Sequence, residues 1–197
     1  MSPESSPTPP DQAPQRFPII DLEGPSTVEL PLEERYAVLH NVFKHQYFAV
    51  YRRIGELYGW DAANRIAAEV ADEATPMLAE AYRRRFSLPG EGAALVSQVM
   101  QAEFQAEGSD VAVLSETPDG AELDVNCAFG NALQKPRFAG IPITDGLCER
   151  GCRQWADQIA KTVDEDLGAD RLTWMGDGAP RCRYRIWREN SADTQAD

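Results

Sequence analysis

The chain contains four cysteines, which are its side chains best suited to chemistry: Cys127, Cys148, Cys152 and Cys182. Cys148 and Cys152 are four residues apart in a predicted helix and therefore share one face of it. Cys127 lies on the apolar face of one predicted strand, and Cys182 lies on the apolar face of another. If the helix packs on the sheet, all four thiols face one interior layer.

Three interpretations of these thiols are open. The first is a small buried core side chain, which is the usual place of a free cysteine. The second is a catalytic thiolate, and here Cys148 is favoured because the first turn of a helix stabilises negative charge. The third is a zinc site, although its C-x-x-x-C spacing differs from the usual C-x-x-C knuckle. Zinc is therefore kept as a low-ranking alternative, and no other cofactor is expected.

A proton-transfer partner for a thiolate would have to be one of two histidines. His40 shares a helical stripe with Tyr36, Phe43 and Tyr47, so we expect it to point inward, as a buried structural residue or as a general acid or base. His45 lies on the flank of this stripe. The two are five residues apart, which is a poor arrangement for joint metal binding.

Several polar and aromatic residues are candidates for holding a substrate. Arg183 and Arg185 alternate on the strand face opposite Cys182, where they form either a solvated charged face or a clamp for a carboxylate. The remaining candidates neighbour the cysteines in sequence or by predicted face: Tyr184, Trp155, Asn126 and Glu149.

These residues must be positioned by helices and strands, and the predicted order of these elements indicates an α+β domain with an antiparallel sheet. Three helices come first, over about 32–58, from Asp61 to Arg85, and from Leu95 to Gly108, with Pro76 expected to kink or split the second. A β-β-α-β-β unit follows. Its first hairpin turns at Pro118-Asp119-Gly120 and runs to Phe129. Its helix begins at Thr144 or Asp145 and ends near Leu167-Gly168. Its second hairpin pairs 171–175 with 181–187.

Length and composition describe one domain between two tails. Residues 1–31 hold 8 of the 14 prolines and are expected to form a flexible tail, residues 32–188 form the domain, and residues 189–197 form a polar tail. A net charge of −13 disfavours nucleic acid and anionic membranes as partners. Residues 1–15 lack a secretory pattern, so the cytoplasm is the expected location.

Two stretches of the C-terminal half carry a family resemblance. One is Gly-Leu-Cys148-Glu-Arg-Gly-Cys152, and the other is Trp174-Met-Gly176-Asp177-Gly-Ala-Pro-Arg-Cys182-Arg-Tyr-Arg-Ile186. With an isolated upstream cysteine, they resemble the L-2-amino-thiazoline-4-carboxylic acid hydrolase family over about 33–188. The chain departs from that pattern at Ala128 and in the longer turn before Cys182. The ending also resembles small-molecule-binding domains of the 4-vinyl reductase type.

The first resemblance implies a cysteine-dependent hydrolase that cleaves a C–N bond in a small cyclic amidine or amide bearing a carboxylate. Cys148 or Cys127 would be the nucleophile or a thiol lining the site, His40 would move protons, and an arginine of the last hairpin would hold the carboxylate. The second resemblance implies a noncatalytic sensory domain with a pocket lined by cysteine, Trp155 and Tyr184. Either way the expected partner is a small molecule, and a homo-oligomer is left open.

Overall fold

The computed structural model describes residues 31–142, 148 and 151–189. The predicted tails therefore lie outside the described residues, except Pro31 and Glu189, and so do Thr144, Asp145 and Glu149. The architecture is α+β, as predicted: N-terminal helices precede a four-stranded antiparallel sheet with an interleaved helix. The elements are α1 (Leu32–Tyr58), α2 (Trp60–Phe86), α3 (Gly92–Ala106), β1 (Asp110–Glu116), β2 (Gly120–Asn126), α4 (Ala128–Leu133), α5 (Cys152–Val163), β3 (Leu167–Thr173) and β4 (Cys182–Arg188).

The sheet has the strand order β1-β2-β4-β3, and every neighbouring pair is antiparallel. Alternate residues of β2 and β4 are buried, so one face of the sheet is covered. Helices α3 and α5 cover that face, and β1 forms a mostly exposed edge. The covered face holds the main core, which includes Leu123, Val125, Ile159 and Ile186.

Helix α1 buries a different face from the one its periodicity predicts. Its buried residues are Phe48, Tyr51 and Gly55, all in its C-terminal half. The predicted inward residues Tyr36 and Phe43 are 47% and 54% exposed. Apolar residues occur on more than one side of this helix, and periodicity alone does not indicate which side meets the domain.

The second helix runs without a break through Pro76, where the sequence predicts a kink or a split. Pro76 lies inside α2, and the preceding Thr75 donates its hydroxyl hydrogen to the carbonyl of Ala71 over 2.7 Å. Asp61 lies in the first turn of α2, and the cap position is Gly59. The predicted split is therefore wrong, because a proline lacks one amide donor without having to end a long packed helix, whereas the predicted kink stays a prediction.

Two boundaries in the C-terminal half also differ from the prediction. The first hairpin ends at Asn126, and residues 128–133, placed partly in a strand, form the short helix α4. Helix α5 ends at Val163, and Leu167-Gly168 begins β3 instead of closing a helix. Sequence periodicity is ambiguous over such short apolar segments, so tertiary pairing decides them.

None of the helices in the described part of the chain combines the length and apolar character needed to cross a bilayer.

The start of α3 depends on a close approach of two backbones. Gly92 has φ +54°, and a Cβ there would lie 2.3 Å from the Pro118 carbonyl oxygen in the β1–β2 turn. Gly140 also has a positive φ, +87°, but no atom lies within 4 Å of the position that a Cβ would take there.

We expect Gly92→Ala to lower the free energy of unfolding by at least about 3 kcal/mol, because backbone strain and a steric clash add. Gly140→Ala, the matched control, should cost about 1 kcal/mol from strain alone. Urea denaturation measures both. Equal losses in the two variants would show that the contact with Pro118 does not constrain the fold.

Candidate functional site

A cavity of about 180 Å³ lies at one end of the sheet. In an antiparallel arrangement the end of β2, the start of β4 and the end of β3 lie at the same edge, and α5 begins there. The cavity is bounded by sulfur, aromatic and glycine residues with one guanidinium: Cys127, Gly130, Gln134, Cys148, Cys152, Arg171, Trp174, Met175, Gly176, Gly178, Cys182 and Tyr184.

All four cysteines line this cavity, and all are free thiols. Cys127 caps α4, and its sulfur accepts a hydrogen bond from the Gly130 amide at 3.3 Å. Cys182 opens β4 and accepts from the Met175 amide at 3.5 Å. Cys152 is the first residue of α5. The convergence of the thiols on one hollow, expected from the sequence, is therefore present.

The surroundings of the thiols oppose ionisation. Burial raises the pKa of Cys127 to about 12 and also raises that of Cys182. The pKa of Cys152 lies well above its usual value because this thiol hydrogen-bonds with Cys148 and is desolvated. A catalytic thiolate needs the opposite shift, so these three groups are arranged as neutral, polarisable wall atoms.

Arg171 supplies the guanidinium of the cavity, and it is only 7% exposed. One of its Nη atoms donates to the backbone carbonyl of Cys148. Its guanidinium carbon lies 4.8 Å from the centre of the Trp174 ring, in cation–π geometry. The side chain therefore presents positive charge at the edge of an otherwise largely apolar hollow.

The arginines expected to hold a carboxylate lie on the other side of the sheet. Arg183 and Arg185 are exposed, and their register partners on neighbouring strands include Asp124, Glu122 and Asp170. Strand alternation places them opposite Cys182 and Tyr184, and away from the cavity. Of the two interpretations left open by the sequence, the structure therefore favours a solvated charged face over a carboxylate clamp.

Asn126 also lies outside the cavity lining, where its amide group joins β1 to α4. It donates to the Asp110 carboxylate at 3.2 Å and accepts from Asn131 at 2.8 Å. Tyr184 lines the cavity as expected and is 1% exposed.

His40 lies at the junction of α1 with the end of α3, away from the residues that line the cavity. Its ring centre is 4.5 Å from that of Tyr36, and its Nδ1 lies close above Gly108. Tyr36 donates to the Ala106 carbonyl at 2.6 Å in the same place. The structure therefore does not bring His40 to the thiols.

Trp155, which was predicted to line the pocket, is not among the lining residues of the cavity and packs next to one of them, Tyr184. Its ring lies 5.0 Å from that of Phe104 and 6.4 Å from that of Tyr184, both measured between centres. Its Nε1 donates to Oε1 of Glu103 at 3.1 Å. Glu103 is 8% exposed, and its Oε2 has no hydrogen-bond partner in the described part of the chain. Burial raises the pKa of Glu103 to about 7 and that of the neighbouring Glu107 to about 8.

Among residues 31–142, 148 and 151–189, no group of three or more His, Cys, Asp and Glu side chains is arranged to hold a metal ion. The predicted alternative of a zinc site thus gains no support from the described residues.

Comparison with known proteins finds similarity at the level of the fold. No family model matches the chain, and no curated protein matches its sequence. Among solved structures, the chain is similar to the phenol-responsive sensory domain of the transcription activator PoxR, crystallised with phenol. The two share 14% identity over 75% of each chain, with a TM-score of 0.53. At this identity the likeness shows the fold alone.

Several lining residues are absent from the predicted site, of which Arg171 and Trp174 matter most chemically. A signal for Arg171 was present, because it continues the alternation of Leu167 and Ala169 once β3 is started at Leu167. Trp174 follows β3 in a short turn, and no periodicity indicates its direction.

We expect Cys127, Cys152 and Cys182 to react with iodoacetamide at pH 8 at least about 100-fold more slowly in the folded protein than in urea, because little thiolate forms and access is limited. Peptide mass mapping after timed quenching measures each site. A folded-state rate above the unfolded rate at any of the three would instead identify an activated nucleophile.

The buried Glu103 carboxyl should make stability depend on pH. Its proton is retained to about pH 7 in the folded chain, whereas the unfolded carboxyl loses it near 4.5. Stability from this group is therefore full below about pH 4.5 and declines as pH rises to 7. Glu103→Gln keeps the acceptor for Trp155, and we expect it to exceed the wild type by about 2 kcal/mol at pH 8 and by little at pH 4.5.

Urea denaturation across this pH range provides the measurement. Glu73→Gln, which removes an exposed carboxyl from α2, is the matched control. If both variants follow the wild-type pH profile, Glu103 is not protonated in the folded protein.

Proposed function

We propose that this protein is a sensory or carrier domain that binds a single-ring small molecule in the cysteine-lined cavity. The observation that carries this proposal is the cavity itself, which is largely apolar, holds one guanidinium and measures about 180 Å³. A dry cavity of about 150 Å³ is enough for a benzene ring. The fold likeness to a phenol-responsive sensory domain supports the same proposal.

The chemistry of the wall suggests what the ligand carries. Sulfur atoms of Cys127, Cys182 and Met175 favour contact with the edge and face of an aromatic ring. Arg171 favours a hydroxyl or carboxylate oxygen at one end of that ring. We therefore infer an aromatic ligand bearing one oxygen acid group, such as a phenol or a benzoate.

A cysteine-dependent hydrolase, which acts on a cyclic amidine or amide, is the second candidate because four thiols meet at one hollow. Two observations weigh against it. The pKa values of Cys127, Cys152 and Cys182 are raised, mainly by burial and by the hydrogen bond between Cys152 and Cys148. His40, proposed to move the protons, does not line the cavity.

We expect phenol and benzoate to raise the melting temperature of the protein, and 2-naphthol, with its second ring, to have no effect. Arg171→Met should weaken benzoate binding at least about 10-fold more than phenol binding, because only benzoate is a full anion at pH 7. Arg171→Lys should retain part of the benzoate affinity. Isothermal titration calorimetry measures each dissociation constant.

The matched control is Arg183→Met, which removes an exposed guanidinium from the outer face of the neighbouring strand. It should leave both affinities unchanged.

Incubation with 2-amino-thiazoline-4-carboxylate tests the rival function. Product formation that is lost in a cysteine-to-alanine variant would overturn the binding-domain proposal, and so would the absence of any stabilising ring compound.

A further inference from the structure

Helix α1 carries a row of large apolar side chains that the rest of the described structure leaves uncovered. Their exposed fractions run from 46% to 81%. We call this row the α1 stripe, and it consists of Leu32, Tyr36, Leu39, Val42, Phe43, Val50 and Leu57. It lies beside the buried face formed by Phe48, Tyr51 and Gly55.

The spacing of the stripe fits another helix. Tyr36, Phe43, Val50 and Leu57 follow one another at intervals of seven residues. Leu32 and Leu39 are also seven residues apart, and each precedes a member of the first series by four residues. A seven-residue apolar repeat keeps one seam of a helix facing a partner helix along its length. The stripe spans most of the 27 residues of α1, so the partner helix has a similar length.

The area of the stripe is that of a stable interface. A large apolar side chain exposes roughly 200 Å² when fully free, so seven residues at about half exposure give about 700 Å². Monomeric proteins rarely expose an apolar patch beyond a few hundred Å². A standard protein interface buries about 800 Å² on each partner.

The charge of α1 allows two copies to meet although the whole chain is acidic. Between Leu32 and Tyr58 there are four basic residues against three acidic ones, whereas the chain carries −13. Arg52 is held within its own chain, where it donates to the Arg137 carbonyl at 2.8 Å. Arg53 forms an exposed pair with Glu56 at 3.5 Å, an interaction that is weak and easily exchanged.

We propose that a second copy of this chain covers the α1 stripe, with the two α1 helices antiparallel and crossing at Phe43. In this arrangement Tyr36 of one copy faces Val50 of the other, and Leu39 faces Tyr47. The same patch serves both copies, as a two-fold symmetric dimer requires. This inference does not depend on the ligand of the cavity.

Sedimentation equilibrium of the full chain at about 20 μM tests the proposal, because a standard interface supports micromolar or tighter association. We expect the wild type to have twice the 21.8 kDa chain mass. Phe43→Glu/Val50→Glu should have the mass of one chain, because it places charge at the centre of the seam.

The matched control is Asn41→Glu/Ala49→Glu, which adds the same two charges to exposed positions of α1 outside the stripe. It should remain dimeric. A monomeric wild type would overturn the proposal and indicate that another segment of the chain or a different partner covers the stripe. Equal dimerisation of both double variants would also overturn it.

A cross-linking measurement keeps the test independent of the folding of the double variant. Phe43→Cys should form an intermolecular disulfide under mild oxidation, since symmetry brings the two residues together at the crossing point. Asn41→Cys should not. Efficient cross-linking of Asn41→Cys, or none of Phe43→Cys, would contradict the proposed interface.

Discussion

The burial of one face of the four-stranded sheet is the constraint on which the rest of the structure depends. Helices α3 and α5 remove from water the alternate residues of β2 and β4, among them Leu123, Val125 and Ile186. Burial of this apolar area is the main favourable term in folding. Because strand alternation is strict, the residues that continue this face, Cys127 and Cys182, must also point inward, and the cavity forms where they meet the start of α5.

The electrostatic character of the cavity follows from the same burial. Removal of water favours the neutral form of a thiol, so the pKa of Cys127 rises to about 12 and that of Cys182 also rises. Arg171 remains the one Lys or Arg side chain that lines the hollow within the described residues. A neutral, polarisable wall with one cation is the basis of our proposal of a small aromatic acid as the ligand.

Helix α1 belongs to both the core and the surface of the molecule. Phe48 and Tyr51 pack in the smaller core cluster, which also holds Cys148 and contacts Phe129 and Trp174. The α1 stripe, on a neighbouring side of the same helix, provides an apolar area comparable to that of a protein interface. One helix therefore stands between the cysteine-lined cavity and the surface where we place a second copy of the chain.

The sequence by itself determined the α+β class and the approximate extent of α1, α3 and the two hairpins. These features depend on local periodicity, namely seven-residue or three-to-four-residue spacing in helices and alternation in strands. Tertiary structure alone decided that α1 buries Phe48 and Tyr51 in place of Tyr36 and Phe43, and that His40 lies away from the thiols. It also decided that Arg171, and neither Arg183 nor Arg185, enters the cavity. The physical reason is that periodicity defines the faces of an element, whereas contacts between distant segments select which face is buried.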